Sequence, residues 1–109
     1  NRMFENFTYE TFAPHVGTEF HVRLPQGNLP LTLVTARPGV QAMLTGMRRM
    51  GFSLLFRGPA QFYLPANSYD IAHPRLGLLK MMFVCPVIAP IDPATGRPVQ
   101  ANHYEAIFN

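Results

Sequence analysis

The chain is predicted to fold as a small all-β domain, an antiparallel barrel or sandwich of about six or seven strands. Three observations predict it. Apolar residues alternate with polar ones at period 2 in several short stretches, most clearly Phe52-Ser-Leu-Leu-Phe-Arg-Gly-Pro59. Proline and glycine punctuate these stretches at intervals of roughly ten residues, the spacing of a sandwich or barrel. A helical period of 3.6 is found in one place only, between Val40 and Met50.

In chain order, residues 1–14 read as an N-terminal arm whose aromatics (Phe4, Phe7, Tyr9, Phe12) pack on the barrel end, with Thr8 capping one short turn. Thr18–Leu24 alternates as a half-buried strand, Phe20, Val22 and Leu24 inward and Glu19, His21 and Arg23 outward. Pro25–Asn28 is a turn, and Leu29–Ala36 returns as a second strand with Pro30 at its start or on an edge. Residues 38–51 form a variable insertion, either a short amphipathic helix through Val40, Met43, Leu44, Met47 and Met50 or a loop.

Phe52–Pro59 is the central strand, and Ala60–Pro65 is expected to restart as a second short one. Ser68–His73 follows, then a tight Pro74–Gly77 turn. Leu78–Cys85 is nearly all apolar, which predicts burial on both faces or against a partner, with Cys85 a buried structural thiol. Asp92-Pro-Ala-Thr-Gly-Arg97 is the best hairpin signal, and His103–Phe108 is the last strand, with Tyr104, Ala106 and Phe108 on one face.

With 109 residues there is room for a single domain, 1–109, and 48% hydrophobic residues suffice for one core. Charge is sparse at 14%, and the net +3 is eight scattered arginines and Lys80 opposed by six acids. Scattered arginines exclude a concentrated nucleic-acid patch, and the phenylalanines share faces with Leu and Val, which assigns them to the core and not to a base-stacking platform. There is no apolar run long enough to span a membrane as a helix and no signal-peptide pattern, so synthesis in the cytoplasm is expected.

An aromatic-rich start leading to His15-Val-Gly-Thr-Glu-Phe20, the Phe52–Pro59 segment, the His73-Pro-Arg-Leu-Gly77 turn and the terminal Tyr104-Glu-Ala-Ile-Phe-Asn109 together resemble a family of small bacterial domains of unknown function. The resemblance covers most of the chain and leaves out the insertion. It implies no assigned activity, cofactor or catalytic residue. It implies a loose association with bacterial loci that encode phage-tail-like collar and fibre proteins.

The residues themselves carry no catalytic signature, and no cofactor is expected. His15, His21, His73 and His103 are isolated in sequence, with no His-x-His, no H-E-x-x-H and no cysteine pair, so no metal site is predicted. Asp70 or Glu105 is expected to pair with Arg57 or Arg75 structurally, and an enzyme would require His73, Asp70 and Arg57 to meet in one cleft. His73, before a proline in a turn, is placed to hydrogen-bond backbone through its ring. Low charge, many prolines and the apolar run 78–88 point instead to a non-enzymatic interaction or assembly module, acting through a strand edge or the Met-rich insertion. A protein partner or self-association is expected, with Met43, Met47, Arg48, Arg49, Arg57, His73 and Arg75 as the candidate interaction surface. The alternative is a barrel whose interior binds a small apolar ligand.

Overall fold

A computed structural model of the chain describes residues 6–39 and 51–109. After a short helix α1 (Tyr9–Phe12) and a 3-10 turn (Ala13–His15) come strands β1 (Glu19–Leu24), β2 (Gly27–Pro38), β3 (Phe52–Gly58), β4 (Asn67–His73), β5 (Gly77–Val87), β6 (Ile91–Asp92), β7 (Arg97–Pro98) and β8 (Asn102–Phe108). Six of them close into an antiparallel barrel in the order β1-β2-β3-β8-β5-β4, and β6 and β7 make a separate two-stranded hairpin. Barrel closure settles the choice between barrel and sandwich. The hairpin pairs Asp92 with Arg97, and Gly77 and Gly96 both take the positive φ that their turns demand.

Alternation explains the core. Phe20 and Val22 on β1, Leu29, Leu31 and Leu33 on β2, Phe52, Leu54 and Phe56 on β3, and Tyr104, Ala106 and Phe108 on β8 are all buried. Thr8 does precede a helical turn, and its backbone N–H donates to the Thr11 hydroxyl (3.0 Å). That turn delivers Phe12, fully buried, into an aromatic cluster with Phe20, Phe52 and Phe108 at centroid distances of 5.7–6.4 Å. Phe52 and Phe108 are direct cross-strand partners and stack at 4.6 Å with planes 7° apart. Truncating a phenylalanine so buried typically costs about 3–5 kcal/mol, so the arm is part of the fold's stability.

Two bulges bend the sheet. On β2 the pairing with β3 skips one residue between Leu33 and Thr35, and inward parity passes from Leu33 to Ala36, which packs on the core. Between β4 and β5, Asp70 stands opposite both Lys80 and Met81, since Tyr69 pairs with Met82 and Ile71 with Leu79. Met81 has φ 57°, and the Asp70 carboxylate accepts its N–H at 3.0 Å. Asp70 therefore stabilises a bulge, which corrects its expected pairing with an arginine. The bulge also shifts the phase of β5: Leu79, Met82 and Val84 are buried, whereas Met81, Phe83 and Cys85 are exposed. The run is thus apolar on both parities but covered on one face only. The expected buried thiol of Cys85 and core role of Phe83 are corrected accordingly.

Ala60–Pro65 is no strand. Its backbone is held by side chains instead of a ladder: Asn102 Nδ2 donates to the carbonyls of Pro59 (3.0 Å) and Phe62 (2.9 Å), and the Tyr104 hydroxyl accepts the Leu64 N–H at 3.0 Å. Leu64 is consequently buried over the barrel while Tyr63 is exposed. His103 also departs from expectation. It has outward parity yet is only 3% exposed, and its Nδ1–H donates to the Ala101 carbonyl. Parity tells which side a residue takes, not whether that side is covered. The insertion assigned to 38–51 falls on residues 40–50, which lie outside the described residues, as does the start of the arm at 1–5.

Tyr104→Phe keeps the ring and leaves the Leu64 N–H without its acceptor. A buried donor stranded in this way costs about 1–3 kcal/mol. Urea unfolding should show the midpoint falling with an unchanged m value, and an unchanged midpoint would mean that the loop at 59–64 finds another acceptor.

Candidate functional site

A groove of about 750 Å³ opens where the arm, the start of β1 and the β4–β5 turn converge, lined by Pro14, His15, Thr18, Glu19, His21, His73, Pro74 and Arg75. These residues are distant in sequence and meet because β1 pairs with β4, His21 opposite Ala72. His73 ends β4 and is 5% exposed. Its ring lies at 4.4 Å from the Phe20 ring and 4.7 Å from that of His15, centroid to centroid.

Both nitrogens of His73 are engaged. Nδ1 accepts the backbone N–H groups of Arg75 (3.1 Å) and Leu76 (3.3 Å), as its place before Pro74 suggested. An acceptor Nδ1 makes Nε2 the protonated nitrogen, and Nε2–H then donates to the Thr18 hydroxyl at 3.0 Å. Thr18 in turn donates to the His15 carbonyl at 2.7 Å. The result is a directional chain from the β4–β5 turn, through a neutral imidazole and a hydroxyl, to the arm. Burial holds the His73 pKa below the ordinary histidine value, and the neighbouring His15, His21 and Arg75 push it further down.

This chemistry bears on what the site can do. The only unprotonated nitrogen of His73 is capped by two N–H donors, so it offers no lone pair for proton abstraction, and the Thr18 proton points at a carbonyl. Asp70 is occupied at the bulge, and Arg57 stands on the outer face of β3 in a second groove, of about 430 Å³, with Glu19, Thr32, Gln61 and Gln100. The three residues that an enzyme would have needed together are therefore apart. Among the described residues no group of three or more His, Cys, Asp or Glu side chains is placed to hold a metal ion.

Of the candidate interaction residues, Arg75 is exposed in the first groove and Arg57 in the second, whereas His73 is buried and corrected to a structural role. Met43, Met47, Arg48 and Arg49 lie outside the described residues. A third surface lies on the apolar run 78–88, for which the sequence offered a partner contact without naming its residues. Along the outer face of β5, Met81 (60% exposed), Phe83 (57%), Cys85 and Val87 form an apolar row, with Ile107 (66%) exposed on neighbouring β8. The signal was present as apolar residues at both parities of the 78–87 run.

Among the described residues no helix is long and apolar enough to cross a membrane. A family model described as a domain of unknown function (DUF6916) matches residues 7–108. No curated protein and no solved structure matches the chain.

The depressed His73 pKa gives stability a direction with pH. The unfolded chain takes up a proton on this histidine near pH 6.5, whereas the folded chain resists it. The contribution is complete above that pH and is lost as pH falls toward the lower folded value. Urea midpoints measured from pH 8 to pH 5 should decline below about pH 6.5, and His73→Asn should flatten that decline; an unchanged slope in the variant would assign it to other groups.

Proposed function

The chain belongs to the DUF6916 family of domains of unknown function, and we propose that it serves there as a non-enzymatic interaction or assembly module. The observation that carries this reading is the apolar row on the outer face of β5 and β8. Contiguous exposed apolar surface is costly in water and marks contact sites in folded proteins. Phe83 and Ile107 are large and more than half exposed, and both stand on strands of the closed barrel. Glu105, half-buried between Leu55 and Cys85, is the nearest charge in the β8 register.

Every barrel strand has a neighbour on each side, although the β1–β4 seam is paired at only two positions, and the contact proposed is docking of the exposed β5–β8 face. The partner is a protein surface with a complementary apolar patch, in a multi-protein particle of the phage-tail-like kind or in a homo-oligomer. The interior-ligand alternative draws less support, because Phe12, Phe20, Phe52, Phe56, Tyr104 and Phe108 already project into the barrel core.

Native mass spectrometry over a dilution series tests the proposal, with Phe83→Asp and Ile107→Asp as probes. The expected result is a dimer or larger ring, or a stoichiometric co-purifying chain, that persists at low micromolar concentration and is lost in both variants. A strictly monomeric wild type without a bound chain overturns the proposal, as does an assembly indifferent to both substitutions.

A further inference from the structure

Glu19 lines both grooves described above and so joins them end to end. Along the joined track the charges alternate. Arg75 stands in the β4–β5 turn at one end, Glu19 at the start of β1 in the middle, and Arg57 on the outer face of β3 at the other. All three are exposed. They are far apart in sequence, and the pairing of β4 with β1, β1 with β2 and β2 with β3 brings them into one line.

The register explains why opposite charges in one groove stay apart. Glu19 is paired with Thr32 on β2, and Thr32 with Arg57 on β3, so a whole strand stands between acid and base. Two strand spacings put their backbones about 10 Å apart. Among the described residues neither side chain has an ion pair or a hydrogen bond. The same holds for the Arg75 guanidinium and for the side chains of Thr32, Gln61 and Gln100, which complete the lining. The fold leaves all of these polar groups to solvent or to a ligand.

A ligand that matches the track must offer the complementary order of acid, base and acid. A uniformly acidic chain, a nucleic-acid strand included, brings a negative charge against Glu19, and neither groove is lined by a Phe, Tyr or Trp on which a base could stack. Gln61 and Gln100 each carry a donor and an acceptor, and Thr32 a hydroxyl, the groups that pair with peptide N–H and C=O. Extended peptide rises about 3.3 Å per residue, so the span from Glu19 to Arg57 corresponds to about three residues. On the other side, continuing the His21–Ala72 pairing sets Glu19 opposite Pro74, next to Arg75. That span corresponds to about two residues.

We propose that the two grooves together form a docking track for an extended peptide segment of a partner protein, which sets an acidic side chain on Arg75, a basic one on Glu19 and a second acidic one on Arg57. The track is a polar, charge-reading surface, separate from the apolar row on β5 and β8 and independent of it.

Titration of the isotope-labelled full chain with the capped peptide acetyl-Glu-Ser-Lys-Ser-Ser-Glu-amide at low ionic strength tests this, read by amide chemical shifts. Saturable shifts are expected at Glu19, Thr32, Arg57 and Gln61, and none at Phe83 or Ile107. They should vanish in about 0.5 M salt, where exposed charges are screened. Arg57→Gln and Glu19→Gln should each weaken binding about three-fold, the scale of one exposed charge pair. Glu19→Lys should reverse the preference, binding the peptide with Glu in place of Lys more tightly than the original, which no loss of structure would produce. The proposal is overturned if no saturable shift develops up to about 5 mM peptide, a concentration beyond which contact is not specific. It is also overturned if the shifts fall on the β5–β8 face, if the wild type binds the all-acidic peptide or oligothymidylate more tightly, or if Glu19→Lys does not reverse the preference.

Discussion

A ring of only six strands must bend sharply to close, and the rest of the structure follows from how this chain meets that demand. The two long strands each serve two neighbours in succession: β2 pairs with β1 through Gly27–Thr32 and with β3 through Thr32–Pro38, and β5 pairs first with β4 and then with β8. Both are bulged against a neighbour. The final seam, β1 against β4, is paired at only His21–Ala72 and Val22–Ile71. Each surface of interest is a consequence of closure. The short seam brings His21 beside the end of β4 and so opens the histidine-lined groove. The bulge at Met81 changes the phase of β5 and turns Phe83 and Cys85 outward.

Strands whose residues alternate cleanly were legible from sequence, because side-chain parity there sets which residues face the core, although it left the burial of outward His103 unseen. β1, β3 and β8 are of this kind, and their inward sets match down to Tyr104, Ala106 and Phe108. The position of Thr8 at the start of the helical turn was legible for a similarly local reason, although the side-chain bond there is made by Thr11. Errors arose where the outcome depends on a distant partner. Ala60–Pro65 has the composition of a strand, but Asn102 and Tyr104 supply its hydrogen bonds from some forty residues away. Cys85 was misplaced because a bulge depends on the pairing of two strands, and a period-2 count along one strand cannot register it.

The groove was half legible. A histidine before a proline in a tight turn signals a ring that caps backbone, and His73 does so. Nothing local, however, indicates that its other nitrogen meets Thr18, fifty-five residues earlier, or that the His15 ring meets it edge-on. Those contacts are products of the β1–β4 seam. Burial of His73 was equally invisible, since isolated histidines in turns are ordinarily exposed.

At two places in the barrel a non-ladder segment is fixed by the same device, a buried aromatic side chain bonding to backbone or to a neighbouring hydroxyl. Tyr104 holds the loop after β3, and His73 holds the arm before β1 through Thr18. Burial favours the neutral form of each group, raising the phenol pKa and lowering that of the imidazole. The consequences differ because the starting values differ. A phenol moved upward from about 10 remains a neutral hydroxyl throughout the range in which the protein would be used. An imidazole moved downward from about 6.5 resists its proton further into the acid range. The Tyr104 bond to the loop is therefore independent of pH across that range, whereas the bonds that His73 Nδ1 accepts from the turn require the neutral ring, although burial acts on both side chains in the same sense.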